Sequence, residues 1–381
     1  MWNHLPCDLL GKIFSLLPPD SLACAASTCR DWLSYIRCPH PSRTTRCNPP
    51  WFLAIALKHH GPSCYAYNSA LQRWYVLTLD FLPYLVHPIA AIGNVVLCRP
   101  ANSSLFQLAL FNPFTKQFKF LPPLNTRRTT PALGLHQDAL SLYFHFRIFV
   151  AGGMSASGSS EGGASYESTL EMYDSQVNKW ETIGVVPTEF AVRLTVWTPN
   201  ESVYSMGVLY WITSARAYSI MGFNVGSRLW KEVNVPMANR LECAALVQRK
   251  GRLTLIGGKS GGEACIWELG EGDAWILIER VPVELGKRFM GCKGSWCSTK
   301  CVGSDEGVYL YKDLSSRMLV WMDVKGKEGN GKWEWFWVES YCPDRGPQGP
   351  KFSIKGVLLH PNLGPSVESA ENGSSATSNR F

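Results

Sequence analysis

The sequence predicts a mainly β chain of repeated hairpin units preceded by a small helical module. Three observations carry that reading. An aromatic residue followed by Asn or Asp, with a second aromatic six residues after the polar one, recurs at Tyr67-Asn68 and Trp74, Phe111-Asn112 and Phe118, Tyr173-Asp174 and Trp180, and Phe223-Asn224 and Trp230. Two apolar strands end in paired glycines, Arg147-Ile148-Phe149-Val150-Ala151-Gly152-Gly153 and Arg252-Leu253-Thr254-Leu255-Ile256-Gly257-Gly258. Residues 5–36 concentrate helix signals that the rest of the chain lacks. The 33 Gly and 15 Trp favour turns and strands over a helix bundle.

In the N-terminal segment, Pro6 suits a first helical position and Asp8 then meets the positive end of the dipole. Pro18 ends the helix by Leu17, because proline disfavours helical geometry in the residue before it. Leu9, Ile13 and Leu17 share one face, and Leu10, Phe14 and Leu16 make a second. A second helix is expected after Pro19, with Asp20 or Ser21 near its N-cap, and a third holding Trp32, Leu33 and Ile36. A unit of about 40 residues cannot bury all of this apolar surface alone, so one face is expected to meet a partner or the rest of the chain.

Leu5-Pro6, Leu9-Leu10, Ile13, Leu16-Leu17-Pro18, Leu22 and the Cys29-Arg30-x-Trp32 ending together resemble an F-box, spanning 1–45. That resemblance implies docking on a Skp-type adaptor, which joins F-box proteins to a cullin-based SCF ubiquitin ligase, with these leucines, Ile13, the two prolines and Trp32 at the contact. Gly11 departs from a good helix former and costs about 1 kcal/mol relative to Ala.

In the repeated part, the first aromatic closes one strand, the Asn or Asp side chain supports the turn, and the second aromatic opens the next strand toward the core. With Trp275 and Trp333 added, and Gly-rich insertions at 154–168 and around Gly326, Gly329 and Gly331, about six units of roughly 45 residues result. Gly pairs followed by such hairpins resemble kelch repeats, the four-stranded blades of a β-propeller. The resemblance implies a kelch-type propeller of about six blades over 46–363, closed by Ile354 to Leu359 lying beside 51–57. The unit at Trp275 departs from the pattern, having Leu269-Gly270 in place of the aromatic pair. Residues 364–381, rich in Ser, Asn and Gly, are expected to be a disordered tail.

Several function classes are argued against. The most apolar run, 89–98, is too short for a bilayer and contains Asn94, and the first residues lack the signal-peptide order. A cytoplasmic or nuclear protein without membrane contact is expected, with its 13 cysteines reduced. Cys292, Cys297 and Cys301 lack paired C-x-x-C spacing, so no metal is expected. The formal charge of +7 is dispersed, which gives no nucleic-acid signature. No nucleophile elbow, P-loop or dinucleotide fingerprint occurs, and no cofactor or catalytic residue is assigned.

The expected role is therefore a non-catalytic receptor that holds a target protein near the ligase. A propeller interaction scaffold and a small-molecule sensor stand as the alternatives. For target contact, the links between units each follow a proline: Pro123 precedes Arg127 and Arg128, Pro187 precedes Arg193, Pro236 precedes Arg240, and Pro282 precedes Arg288. Such links run toward one channel mouth, so Arg128, Arg193, Arg240 and Arg288 would converge in a basic ring, with Trp197 or Trp296 beside it. Ordinary solvated loop charges are the competing reading.

Overall fold

The computed structural model describes residues 5–17, 21, 25, 28–37, 49–56, 63–101, 106–137, 145–155, 165–198, 201–259, 262–291, 294–313, 317–324, 332–339 and 353–361. Among them are six four-stranded antiparallel sheets, the blades of a propeller. Blade 1 uses both ends of the propeller sequence: its inner strand Ile354–Leu359 pairs with Trp51–Ala56, followed outward by Ser63–Asn68 and Arg73–Thr78. Blades 2 to 6 run in chain order from inner to outer strand. Their inner strands are Val86–Ile92, Ala132–Gln137, Val203–Ser205, Leu241–Arg249 and Lys300–Gly303, and their outer strands end with Phe120, Val185, Asn234, Arg280 and Val338. The inner strand of blade 1 touches those of blades 2 and 6, so the ring closes through 354–359 as expected.

Each pair of neighbouring blades shares one apolar cluster, a consequence of strands that bury both faces. Trp51, Val96 and Phe111 lie between blades 1 and 2, Leu110, Ile148 and Trp180 between 2 and 3, and Phe149, Trp211 and Phe223 between 3 and 4. Ile220 and Trp267 join blades 4 and 5, Val247 and Trp321 join 5 and 6, and Phe52 and Tyr309 join 6 and 1.

The repeated motif has the geometry anticipated for it. Tyr67 pairs with Trp74, Phe111 with Phe118, Tyr173 with Trp180 and Phe223 with Trp230. Asn68 Oδ1 accepts from the amides of Ala70 and Leu71, Asn112 from Phe114 and Thr115, Asp174 from Gln176, and Asn224 from Ser227. Blade 6 differs: Trp321 opposes Trp335, and Trp333 opposes Asp323. The residues joining those two strands lie outside the described ones, and the sequence there lacks the aromatic-Asn or aromatic-Asp spacing of the other hairpins; the cross-strand aromatic pair forms at Trp335.

Gly356 is where closure leaves no room. A Cβ there would lie 2.5 Å from Phe52 Cε2 and 2.7 Å from Tyr311 Cζ, and the Gly356 amide donates to the Tyr311 hydroxyl at 2.8 Å. Gly258 has the same reason for being glycine, since its Cβ would meet the Trp296 ring at 2.4 Å.

In the N-terminal module, α1 (Cys7–Leu16) and α2 (Arg30–Arg37) are helical. Pro6 sits at the N-cap, one position before the expected one, and its carbonyl accepts from the amides of Leu9 and Leu10. Most of the expected second helix, with Pro18, Asp20 and Leu22, lies outside the described residues, as do Cys292, most of the 154–168 insertion and the tail. Two linkers that the sequence marked only by a proline fold as helices, α3 (Thr188–Val196) between blades 3 and 4 and α4 (Val283–Met290) between blades 5 and 6.

Candidate functional site

The residues that the sequence assigns to partners fall on two surfaces. The first is on α1. Phe14 is buried and meets Trp32 edge-on with ring centroids 5.2 Å apart, while Ala25, Leu10 and Leu17 pack around them. Leu9 and Ile13, four residues apart, point the other way and remain 49% and 41% exposed. Leu5 is half-buried and Pro6 exposed, whereas Leu16's side chain, Pro18 and Leu22 lie outside the described residues.

Three of the expected contact residues pack against the module's own core. Leu17 follows the last helical residue in extended backbone, so the helical repeat that aligned it with Leu9 and Ile13 no longer holds and it turns inward. Trp32 is half-buried and packs edge-on against Phe14 in the module's own core. Leu10 also lies on the inward side.

The second surface is the face of the propeller that carries the linkers between blades. Trp51, the first propeller strand residue, pairs with Leu359 at the same end of blade 1 as the Asn68 turn, so the chain enters on the hairpin face. The linkers cross the opposite face, together with the loops that join the two middle strands of each blade.

On that linker face the expected arginine ring does not assemble. Arg128 and Glu171 are fully buried and pair at 2.5 Å. The Arg128 guanidinium also donates to the carbonyls of Gly152 and Thr169, and Glu171 accepts from the amides of Asn125 and Thr126. This arginine ties a linker to the Gly152-Gly153 loop and has nothing left for a partner. Trp296 is likewise 0% exposed, stacked on Phe289 and donating to Gly262 O. Arg193 reaches outward to Glu232 at 2.8 Å, and that bond with one from Ser219 lowers the Glu232 pKa. Arg288 pairs with Glu339 and lies over Trp337 at 4.1 Å. Trp197 is 38% exposed and Arg240 is exposed.

Near the channel, Lys355 of blade 1 meets Glu201 at 2.6 Å, tying the closing strand to the approach to blade 4. Lys300 donates to Ile354 O, and burial followed by the neighbouring Lys355 charge lowers its pKa. Among the described residues no group of His, Cys, Asp and Glu is arranged to hold a metal, and no helix is long and apolar enough to cross a membrane. Sequence reasoning missed Arg216, an exposed residue on the middle loop of blade 4, and it missed α3 and α4. The helices were signalled by Pro187-Thr188-Glu189 and Pro282-Val283-Glu284, each a proline at the N-cap with an acid in the first turn.

Residues 2–40 match the F-box-like family. The chain is 24% identical to the Arabidopsis thaliana protein UNUSUAL FLORAL ORGANS over 92% of this chain and 81% of that one. It is also 24% identical to an Arabidopsis thaliana F-box/kelch-repeat protein, covering 90% of this chain and 85% of the other. A third Arabidopsis thaliana protein, SKP1-interacting partner 15, is 29% identical over 32% of this chain and 39% of its own.

Proposed function

We propose that this F-box protein with its kelch-type propeller is the substrate-recognition subunit of a cullin-based SCF ubiquitin ligase, acting in the cytoplasm or nucleus. The F-box holds a Skp-type adaptor, and the linker face of the propeller holds the target. The observation that carries this reading is the exposed Leu9 and Ile13 pair on α1, because a solvent-facing apolar stripe opposite a filled core is a docking face. The family match at 2–40 and the relative named as an SKP1-interacting partner support the same assignment. In this role the chain supplies no reacting group. It raises the effective concentration of a target lysine beside the ubiquitin-charged enzyme that the cullin recruits.

The test is co-purification of the full chain with adaptor and cullin. The native chain should retain both, and Leu9→Asp with Ile13→Asp should lose both while melting as before, since charge buried without a partner at the contact is strongly unfavourable. Retention of adaptor by the folded double variant would remove this face from the account. Adaptor binding without cullin would make the chain a propeller scaffold outside a ligase.

A further inference from the structure

Over blade 4 the linker face carries an exposed indole and two guanidiniums that have no ion-pair partner among the described residues. Helix α3 buries Phe190, Ala191 and Leu194 and ends at Trp197, whose backbone leaves the helical region and turns Val196 and Trp197 to solvent at 51% and 38% exposure. Trp197 O accepts from Ser214 N at 3.0 Å, and Tyr218 N donates to Ala238 O at 3.4 Å. The middle loop of blade 4 is thereby fixed between Trp197 and the linker that leads to blade 5. Arg216 lies on that loop and Arg240 at the end of that linker, both exposed. Neither has an ion-pair partner among the described residues. Glu242, two residues after Arg240, has its carboxylate engaged by the Ser295 hydroxyl and the Trp296 amide, Glu232 is held by Arg193 and Ser219, and Glu201 by Lys355.

We propose that this surface is the docking site for an acidic segment of the target polypeptide, whose carboxylates pair with Arg216 and Arg240 and whose apolar side chain covers Trp197. The assignment rests on the receptor reading above and names its partner chemistry. Planar guanidiniums match carboxylates bidentately, and Trp and Arg are the residue types that dominate binding energy at interfaces. Backbone hydrogen bonds from Ser214 and Tyr218 brace both ends of the loop that carries Arg216, and those of Trp197 and Arg240 fix their own backbones, which lowers the ordering cost of association. The excess of 37 Lys and Arg over 30 Asp and Glu steers an acidic segment toward the chain.

The experiment uses the full chain bound to its adaptor and pools of immobilised peptides. One pool carries a central Leu or Phe with Asp and Glu at about a third of its positions, a second carries Asn and Gln at those positions, and a third carries phosphoserine. The acidic pool should be retained about tenfold better than the neutral pool and should elute with salt. Arg216→Glu with Arg240→Glu should lower retention about tenfold, and Arg216→Gln with Arg240→Gln should lower it less, both with unchanged melting. Trp197→Ala should weaken retention of the acidic pool severalfold. Equal capture of the neutral pool, capture of the phosphoserine pool alone, or full retention by the folded Glu variant would overturn the proposal. Adaptor binding is scored in the same samples. Its loss with acidic capture intact would count against the receptor reading and in favour of this surface.

Discussion

In the helical module Phe14 and Ala25 are the deeply buried described residues, and Leu9 and Ile13 face solvent. In the propeller every pair of neighbouring blades closes over its own cluster, and a glycine is held between Phe52 and Tyr311 where the ends of the ring meet. The difference lies in how much apolar surface each can cover unaided, because burial rises with size and a short helical unit falls short. The propeller completes itself by closing a circle; the module leaves Leu9 and Ile13 open, the pair assigned above to a Skp-type adaptor under the proposed function. Damage to the ring should therefore appear as lost stability, and damage to the module's outer stripe as lost binding.

The largest effect is expected from Gly356→Val. The added side chain would have to displace Phe52 and Tyr311 at contacts of 2.5 and 2.7 Å, so the closing strand cannot seat and cooperative melting of the propeller should be lost. A variant that melts like the native chain would mean that the ring does not depend on 354–359.

Next comes Arg128→Met, which leaves Glu171 buried with its charge uncompensated and should cost about 3 to 5 kcal/mol in denaturant unfolding. The companion change Glu171→Gln with Arg128→Met removes both charges and should recover part of the loss. No recovery would show that the guanidinium acts mainly through the Gly152 and Thr169 carbonyls.

A smaller effect is a decline in stability with alkali. Burial pushes the Tyr309 phenol up to about 12 and the Cys243 thiol up to about 11, from ordinary values of 10.0 and 9.0. Groups whose pKa is raised by folding hold their protons more tightly in the native state, so their stabilisation is complete below the unfolded values and is lost as pH rises through the folded ones. Lys300 and Lys312, lowered by burial, act in the opposite sense and offset part of that loss. Unfolding free energy should fall from about pH 9 upward, and Tyr309→Phe should flatten the fall above about pH 10. A flat native profile to about pH 11 would contradict the burial of these groups.

The hairpins were legible in the sequence because one Asn or Asp fixes the turn and one aromatic pair fixes the register, both local features. Closure by Ile354–Leu359 was legible because an apolar segment stood at the end of the repeats and an open ring would leave an unpaired edge. Blade 6 escaped that logic, since no Asn or Asp stands six residues before Trp333 or Trp335 and nothing local distinguishes the two. Burial of Arg128 was invisible because its partner Glu171 is distant in sequence and is brought close only where Arg128–Thr129 pairs with Met154–Ser155 beside blade 3. Arg216 stood alone in a short Ser- and Ala-containing loop, and only the folded arrangement bonds the ends of that loop to the Trp197 and Ala238 carbonyls. Leu17 was misplaced by extending a helical repeat one residue past the end of α1.

The division of labour itself is tested most directly by hydrogen–deuterium exchange on the full chain with and without a Skp-type adaptor. Adaptor should slow exchange in 5–17, where Leu9 and Ile13 become covered, and leave the blade 4 face around Trp197 and Arg216 unchanged. Protection that appears on the blade 4 face and is absent from 5–17 would contradict the account.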